Sequence, residues 1–191
     1  MPTSSLALTK FDVAERQLNQ AIQLFFDGGD PVSIHTLAEA AAQVMYDIRD
    51  KIGAKSALRD SDRIRPDKKK EWLAALAKSR NFFKHADKDR DAIHEFKEEY
   101  NHYSLMDAVV MLSSAKAEWT PETIIYFAWF TSRHPGVVKP NNKFSELMNT
   151  YRSGLTMTDE QHRSLCARAI RELREGRQIA GVSTNFGLQT R

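Results

Sequence analysis

At 191 residues the chain is long enough to bury one sizeable core and too short for two independent enzyme domains. Apolar residues at 41% and charged residues at 28%, with only 8 Gly and 6 Pro, exclude a disordered, collagenous or disulfide-stapled protein. Net charge is only +3, but between Arg49 and Arg90 there are 14 Lys and Arg against 7 Asp and Glu, a balance of +7 that leaves −4 for the rest. Such a segment is either an electrostatic footprint for phosphates or a solvated face. The longest apolar run, Ile124 to Phe130, is far short of the roughly 20 residues of a membrane helix. Met-Pro-Thr-Ser-Ser at the start has neither the basic nor the apolar part of a secretory signal. Cys166 is the single cysteine, so neither an intrachain disulfide nor a cysteine metal cluster can form. These features predict a cytoplasmic, bacterial-style domain without a membrane span.

Every strong periodic signal is helical. Thr9 with Asp12 predicts an N-cap, and Phe11, Ala14, Leu18, Ile22 and Phe25 fall on one stripe that stops at Gly28-Gly29. Asp30-Pro31 predicts a cap and first-turn proline for a second helix, with Ile34, Leu37, Ala41, Val44, Ile48 and Ile52 inward and Gly53 at its end. The short glycine link makes an antiparallel hairpin of the two. Ala54 to Pro66 is polar and predicts a loop. A third helix is expected from about Asp67, with Trp72, Leu73, Leu76, Phe82 and Phe83 inward, and a break at Asp87–Asp91.

A fourth helix is expected over roughly Glu98 to Ser114, with Leu105, Val109 and Leu112 on one face. Thr120-Pro121-Glu122 opens a fifth, and the run that follows is apolar on every side, so the helix is central to the core or covered by another subunit. Pro140-Asn141-Asn142 predicts a short sixth with Phe144, Leu147 and Met148. Thr158 with Gln161 predicts a capping box for a seventh that buries Leu165, Cys166, Ala169 and Ile170 and ends at Gly176. The expected fold is all-α, an antiparallel helical bundle of about four to five core helices. A core over 9–134 continues into a C-terminal helical extension over 135–176 and a flexible tail over 177–191.

Glycine-rich phosphate loops, the G-x-S-x-G elbow and H-E-x-x-H are missing. The informative stretch is Arg80-Asn81-Phe82-Phe83-Lys84-His85, an arginine and a histidine four residues apart with a polar residue directly after the arginine. It resembles the R-x(4–6)-H signature of the HEPN superfamily, small all-α domains of bacterial toxin, defence and RNA-processing systems. The strings Gly29 to Leu37 and Asn81 to Asp87 also resemble a group of bacterial proteins that share an N-F-F-K-H-A-D segment. The HEPN resemblance implies a four-helix core and a homodimer whose paired motifs form a metal-independent endoribonuclease site, with no cofactor. It further implies an antitoxin or nucleotidyltransferase partner.

In that reading His85 exchanges protons with a ribose 2′-OH or the leaving 5′-oxygen, and Arg80 holds the scissile phosphate. Asn81, one turn before His85, orients the imidazole. Lys84 and Lys88 position flanking phosphates, with Lys68, Lys69 and Lys70 as a more distant rim. RNA would yield a 2′,3′-cyclic phosphate and a 5′-hydroxyl, and DNA would not be cut. Five residues advance a helix by about 500°, so Arg80 and His85 point about 140° apart, and the catalytic reading requires two chains.

Other readings stand beside it. Arg80 and His85 could instead be served within one chain, the first by a carboxylate such as Asp107, the second by Asp89 one turn on or by capping a helix end. Asp107, set among apolar residues, is a candidate supporting carboxylate and requires a partner if buried, with Arg80 or His85 the natural choice. His94, Glu98 and His102 recur every four residues and would face one metal on a helix, against a solvated face as the alternative. Tyr100 and Tyr103 suit base stacking or packing, and His35 reads as a satisfied histidine near the core. A non-catalytic helical protein–protein interaction module is the competing function.

Overall fold

In a computed structural model of the chain, which describes residues 5–61, 64–87, 89–137 and 157–176, every regular element is helical. The helices are α1 (Lys10–Phe26), α2 (Pro31–Asp47), α3 (Arg49–Ile52), α4 (Lys69–Lys84), α5 (Tyr100–Lys116), α6 (Pro121–Arg133) and α7 (Asp159–Arg174). Short 3₁₀ turns cover Pro66–Lys68 and Pro135–Val137. No described helix is long and apolar enough to cross a membrane.

Local chemistry sets most of the helix starts. Thr9, Thr120 and Thr158 each accept from the backbone N–H three residues on and receive a reciprocal side chain, which satisfies two orphan donors at once. Asp30 accepts from the Ser33 N–H at 2.7 Å, with Pro31 as the first helical residue. Gly28, at φ +71°, turns the chain from α1 into α2 through the left-handed region that residues with a Cβ avoid.

α2 ends earlier than its apolar stripe predicts. The Arg49 guanidinium donates to the Tyr46 carbonyl at 2.8 Å, the acceptor that the Asp50 N–H would use in a continued helix. Four residues of α3 follow before Gly53 ends the run.

α2 packs on both α1 and α5, and its small residues explain how. Ala38, Ala41 and Ala42 are fully buried beside Ile34 and Met45, so two helices approach closely. From α1, Ala14, Leu18, Ile22 and Phe25 enter the core as predicted, and Phe11 packs at its margin. Leu105, Val109 and Leu112 of α5 do likewise, joined by Met111.

α6 is central, with Tyr126, Trp129 and Phe130 at most 1% exposed and α1, α5 and α7 around it. The apolar circumference of this helix is thus largely met within one chain. Phe25 and Trp129 meet edge to face at 4.7 Å. α7 adds Cys166, Ala167 and Ile170 to the same core, while Leu165 and Ala169 are half-buried. The predicted helix near Phe144, Leu147 and Met148 and the predicted tail over 177–191 lie outside the described residues.

α4 stands apart. It leans chiefly on α2 and buries one residue fully, Ser79. The chain beyond it has no regular structure over residues 92–97 and returns along α4 through His94 and Phe96.

Candidate functional site

The R-x4-H stretch occupies the last turn of α4. His85 is the cap residue, extended at φ −127° and ψ 110°, with its N–H donating to the Asn81 carbonyl at 3.0 Å. The helix therefore carries Arg80, Asn81 and Lys84, and the imidazole projects from where it stops. Asn81, Lys84 and His85 are exposed, whereas Arg80 is half-buried. Its guanidinium donates to the Gln43 side-chain oxygen on α2, and Gln43 in turn donates to Asp47 at 2.6 Å.

Asn81 and His85 line an open cleft of about 540 Å³ with Ala74, Lys78, Phe82, Asp87, Asp89 and His94. Arg80 does not line it and reaches Gln43 on α2 instead. Lys69 and Lys70 lie at the opposite end of α4, about 21 Å from Lys84 along the axis. Lys68 is paired with Glu71 at 2.9 Å, and Lys88 lies outside the described residues.

Asp107 has a different partner from the predicted pair. Its carboxylate is fully buried and accepts from Arg59 at one oxygen. The other oxygen accepts from the Ser56 hydroxyl at 2.7 Å and the Leu58 N–H at 3.0 Å. Arg59 also donates to Glu39 at 2.9 Å, so one guanidinium joins carboxylates from α2 and α5. Neither Arg80 nor His85 takes part: Arg80 bonds Gln43 on α2, and His85 is exposed at the end of α4.

Burial pushes the Asp107 carboxyl above its ordinary range, opposed by the Arg59 charge and the Ser56 and Leu58 hydrogen bonds. Sequence reasoning did not single out Arg59, Ser56 or Glu39. The available signal was Glu39 set among Ala38, Ala40, Ala41 and Ala42, a carboxylate on an otherwise small apolar face.

The predicted metal triad is not assembled. His94 and Glu98 precede α5, so their spacing does not place them on one helical face with His102. His94 Nε2 lies 2.9 Å from the Ser79 hydroxyl, and its ring packs on Phe82 at 5.0 Å. Glu98 is exposed. His102 is buried with Nδ1 3.1 Å from Nε2 of His134. No group of three His, Cys, Asp or Glu among the described residues is arranged to hold a metal.

Burial, with the nearby His134, Arg163 and Arg133, drives His102 down to about 4. His35 is buried as well, with Nδ1 3.0 Å from the Asn101 oxygen and its ring against Phe96 and Phe83. Tyr100 and Tyr103 keep exposed edges while resting on Phe96 and on Phe130, respectively.

Set against protein-family models, curated proteins and solved structures, the chain matches none. The site's chemistry therefore rests on its own groups. The cleft combines two imidazoles, an ammonium, a carboxamide, two carboxylates and an aromatic ring at the free edge of a weakly buried helix. Such a set can transfer protons, hold a phosphate and stack a base.

Proposed function

We propose that the protein is a HEPN-like RNA-binding protein and a candidate metal-independent endoribonuclease, with His85 as its proton-transfer group. The observation that carries this reading is the placement of His85. Its imidazole is exposed in the cleft beside Asn81 and Lys78, and among the described residues no side-chain hydrogen bond or ion pair occupies it. Lys78 supplies positive charge for a phosphate, with Lys84 as rim. Arg80, committed to Gln43 on α2, serves this reading only in a homodimer that brings a second α4 to the cleft, or by leaving Gln43.

Toxin or defence roles, with an antitoxin or nucleotidyltransferase partner, belong to the same proposal. The test is labelled RNA incubated with purified protein and a chelator. The expected result is salt-sensitive binding and cleavage to a 2′,3′-cyclic phosphate, at least 100-fold slower in His85→Ala, with DNA intact. Absence of both binding and cleavage overturns the proposal.

The second reading, a non-catalytic protein–protein interaction module, is favoured by Asp87 and Asp89. They place two carboxylates in the cleft against the single ammonium of Lys78, a balance better suited to a polar peptide surface than to a bare phosphate chain.

A further inference from the structure

On the reading that the cleft acts on RNA, we propose that His94 is its second proton-transfer group and that Ser79 is the residue that positions it. His94 arrives from residues 92–97, which have no helix or strand to fix a side chain. Its ring is nevertheless held from three sides. Ser79 Oγ lies 2.9 Å from Nε2, Phe82 lies 5.0 Å away at a 36° tilt, and Phe83 lies 6.1 Å away near edge-on. Ser79 is the one residue that α4 buries fully, so the hydroxyl is itself fixed. With Nε2 committed to Ser79, Nδ1 is the nitrogen left to exchange a proton in the cleft that His94 shares with His85.

Transfer to an adjacent 2′-oxygen needs two proton movements at opposite sides of phosphorus. The O2′–P bond forms as O2′ loses its proton to one imidazole. The P–O5′ bond breaks as O5′ takes a proton from the other. The products are a 2′,3′-cyclic phosphate and a 5′-hydroxyl, and the two imidazoles end with their protons exchanged. No metal or further reactant enters the balance. A second imidazole removes the need for one ring to serve both oxygens.

The experiment compares wild type, His85→Ala, His94→Asn and Ser79→Ala on a short labelled RNA in chelator, across pH 5 to 9. Wild type is expected to give a bell-shaped rate profile. His94→Asn is expected to lose about 100-fold in rate and one limb of the bell, with RNA affinity within about twofold. Ser79→Ala is expected to lose less, about tenfold, and to shift the same limb. A ribonucleoside 3′-(4-nitrophenyl phosphate), whose leaving group needs no proton, is expected to restore whichever histidine variant lacks the acid.

Cleavage abolished in His85→Ala but unchanged in rate and profile in His94→Asn overturns the role of His94 and leaves the RNA reading intact. A wild-type profile with a single limb does the same, even if His94→Asn does not fold. Wild-type protein that neither binds nor cleaves RNA removes both.

Discussion

α1 and α4 are nearly equal in length, at 17 and 16 residues, yet α1 buries six residues completely and α4 buries one. α1 meets α2, α5, α6 and α7, whereas α4 leans chiefly on α2. The first helix is held by apolar area, at about 25 cal/mol per Å² removed from water. The second is held by a half-buried apolar face, with Phe83 against His35 of α2, and by a few directed contacts: Arg80 to Gln43, Trp72 to the Leu58 carbonyl at 2.9 Å, and Ser79 to His94. Groups that meet a ligand must keep their polar atoms free, and among the described residues Asn81, Lys84 and His85 at the end of α4 are exposed. Folding and the proposed activity are therefore carried by different helices, and substitutions can separate them.

Arg59 and Arg80, which both reach side chains of α2, give the largest contrast. Arg59 is buried between Glu39 and Asp107, so Arg59→Met leaves two buried carboxylates without a cation and is expected to cost about 3–5 kcal/mol. Arg80→Ala removes one half-buried hydrogen bond to an amide and is expected to cost about 1 kcal/mol. Urea unfolding of both variants measures the difference. Equal losses would mean that α4 is integral to the core and that the division between the helices is wrong.

Acid sharpens the same contrast from the core side. His102 and His134 face each other nitrogen to nitrogen, so one proton lies between them and a second is resisted. Arg133 and Arg163 add positive charge to this junction of α5, α6 and α7, partly offset by Asp159 and Glu99. The folded chain holds His102 at about 4, below the ordinary 6.5, so the unfolded chain binds protons that the folded one refuses. Stability from this source is complete above pH 6.5 and is lost as pH falls from there through about 4, by at most about 3 kcal/mol. His35, His134 and His162 are lowered too, chiefly by burial, and act in the same direction. Unfolding free energies at pH 7.5 and 4.5 check the sign, and His102→Gln is expected to flatten the slope.

Legibility in the sequence followed the same division. Caps are local chemistry, so Thr9, Asp30, Thr120 and Thr158 announced their helices within one turn. The apolar stripes of α1 and α5 announced their buried faces. The all-apolar run of α6 was readable as central to the core or covered by another subunit, and the fold buries its Tyr126, Trp129 and Phe130 within the chain. Partners distant in sequence were not readable. Arg59 and Asp107 are 48 residues apart, and Arg80 and Gln43 are 37 apart. Nothing in the spacing distinguishes Arg59 from the other basic residues of that segment. The sequence places the start of α5 at about Glu98, two residues before Tyr100, while the four-residue recurrence of His94, Glu98 and His102 mimics helical periodicity across residues that are not helical. For the motif, helix geometry assumed that Arg80 and His85 share one helix, whereas His85 is the extended cap beyond α4, and the return of His94 over α4 was not legible.

The smallest expected stability effect falls on Lys78, an exposed residue of α4 that lines the cleft. No hydrogen bond or ion pair among the described residues involves its ammonium, so Lys78→Ala is expected to change unfolding free energy by less than about 0.5 kcal/mol. Alanine is also the better helix former, which offsets the packing lost with the lysine stem. RNA binding is where the substitution should register. Removing one phosphate-neutralising cation lowers the slope of log affinity against log salt by about 1 and weakens binding uniformly across sequences. Fluorescence anisotropy at a series of salt concentrations measures that slope. A slope unchanged from wild type would place the phosphate contacts elsewhere on the chain, and a large fall in stability would show that α4 contributes to folding in a way its shallow burial does not account for.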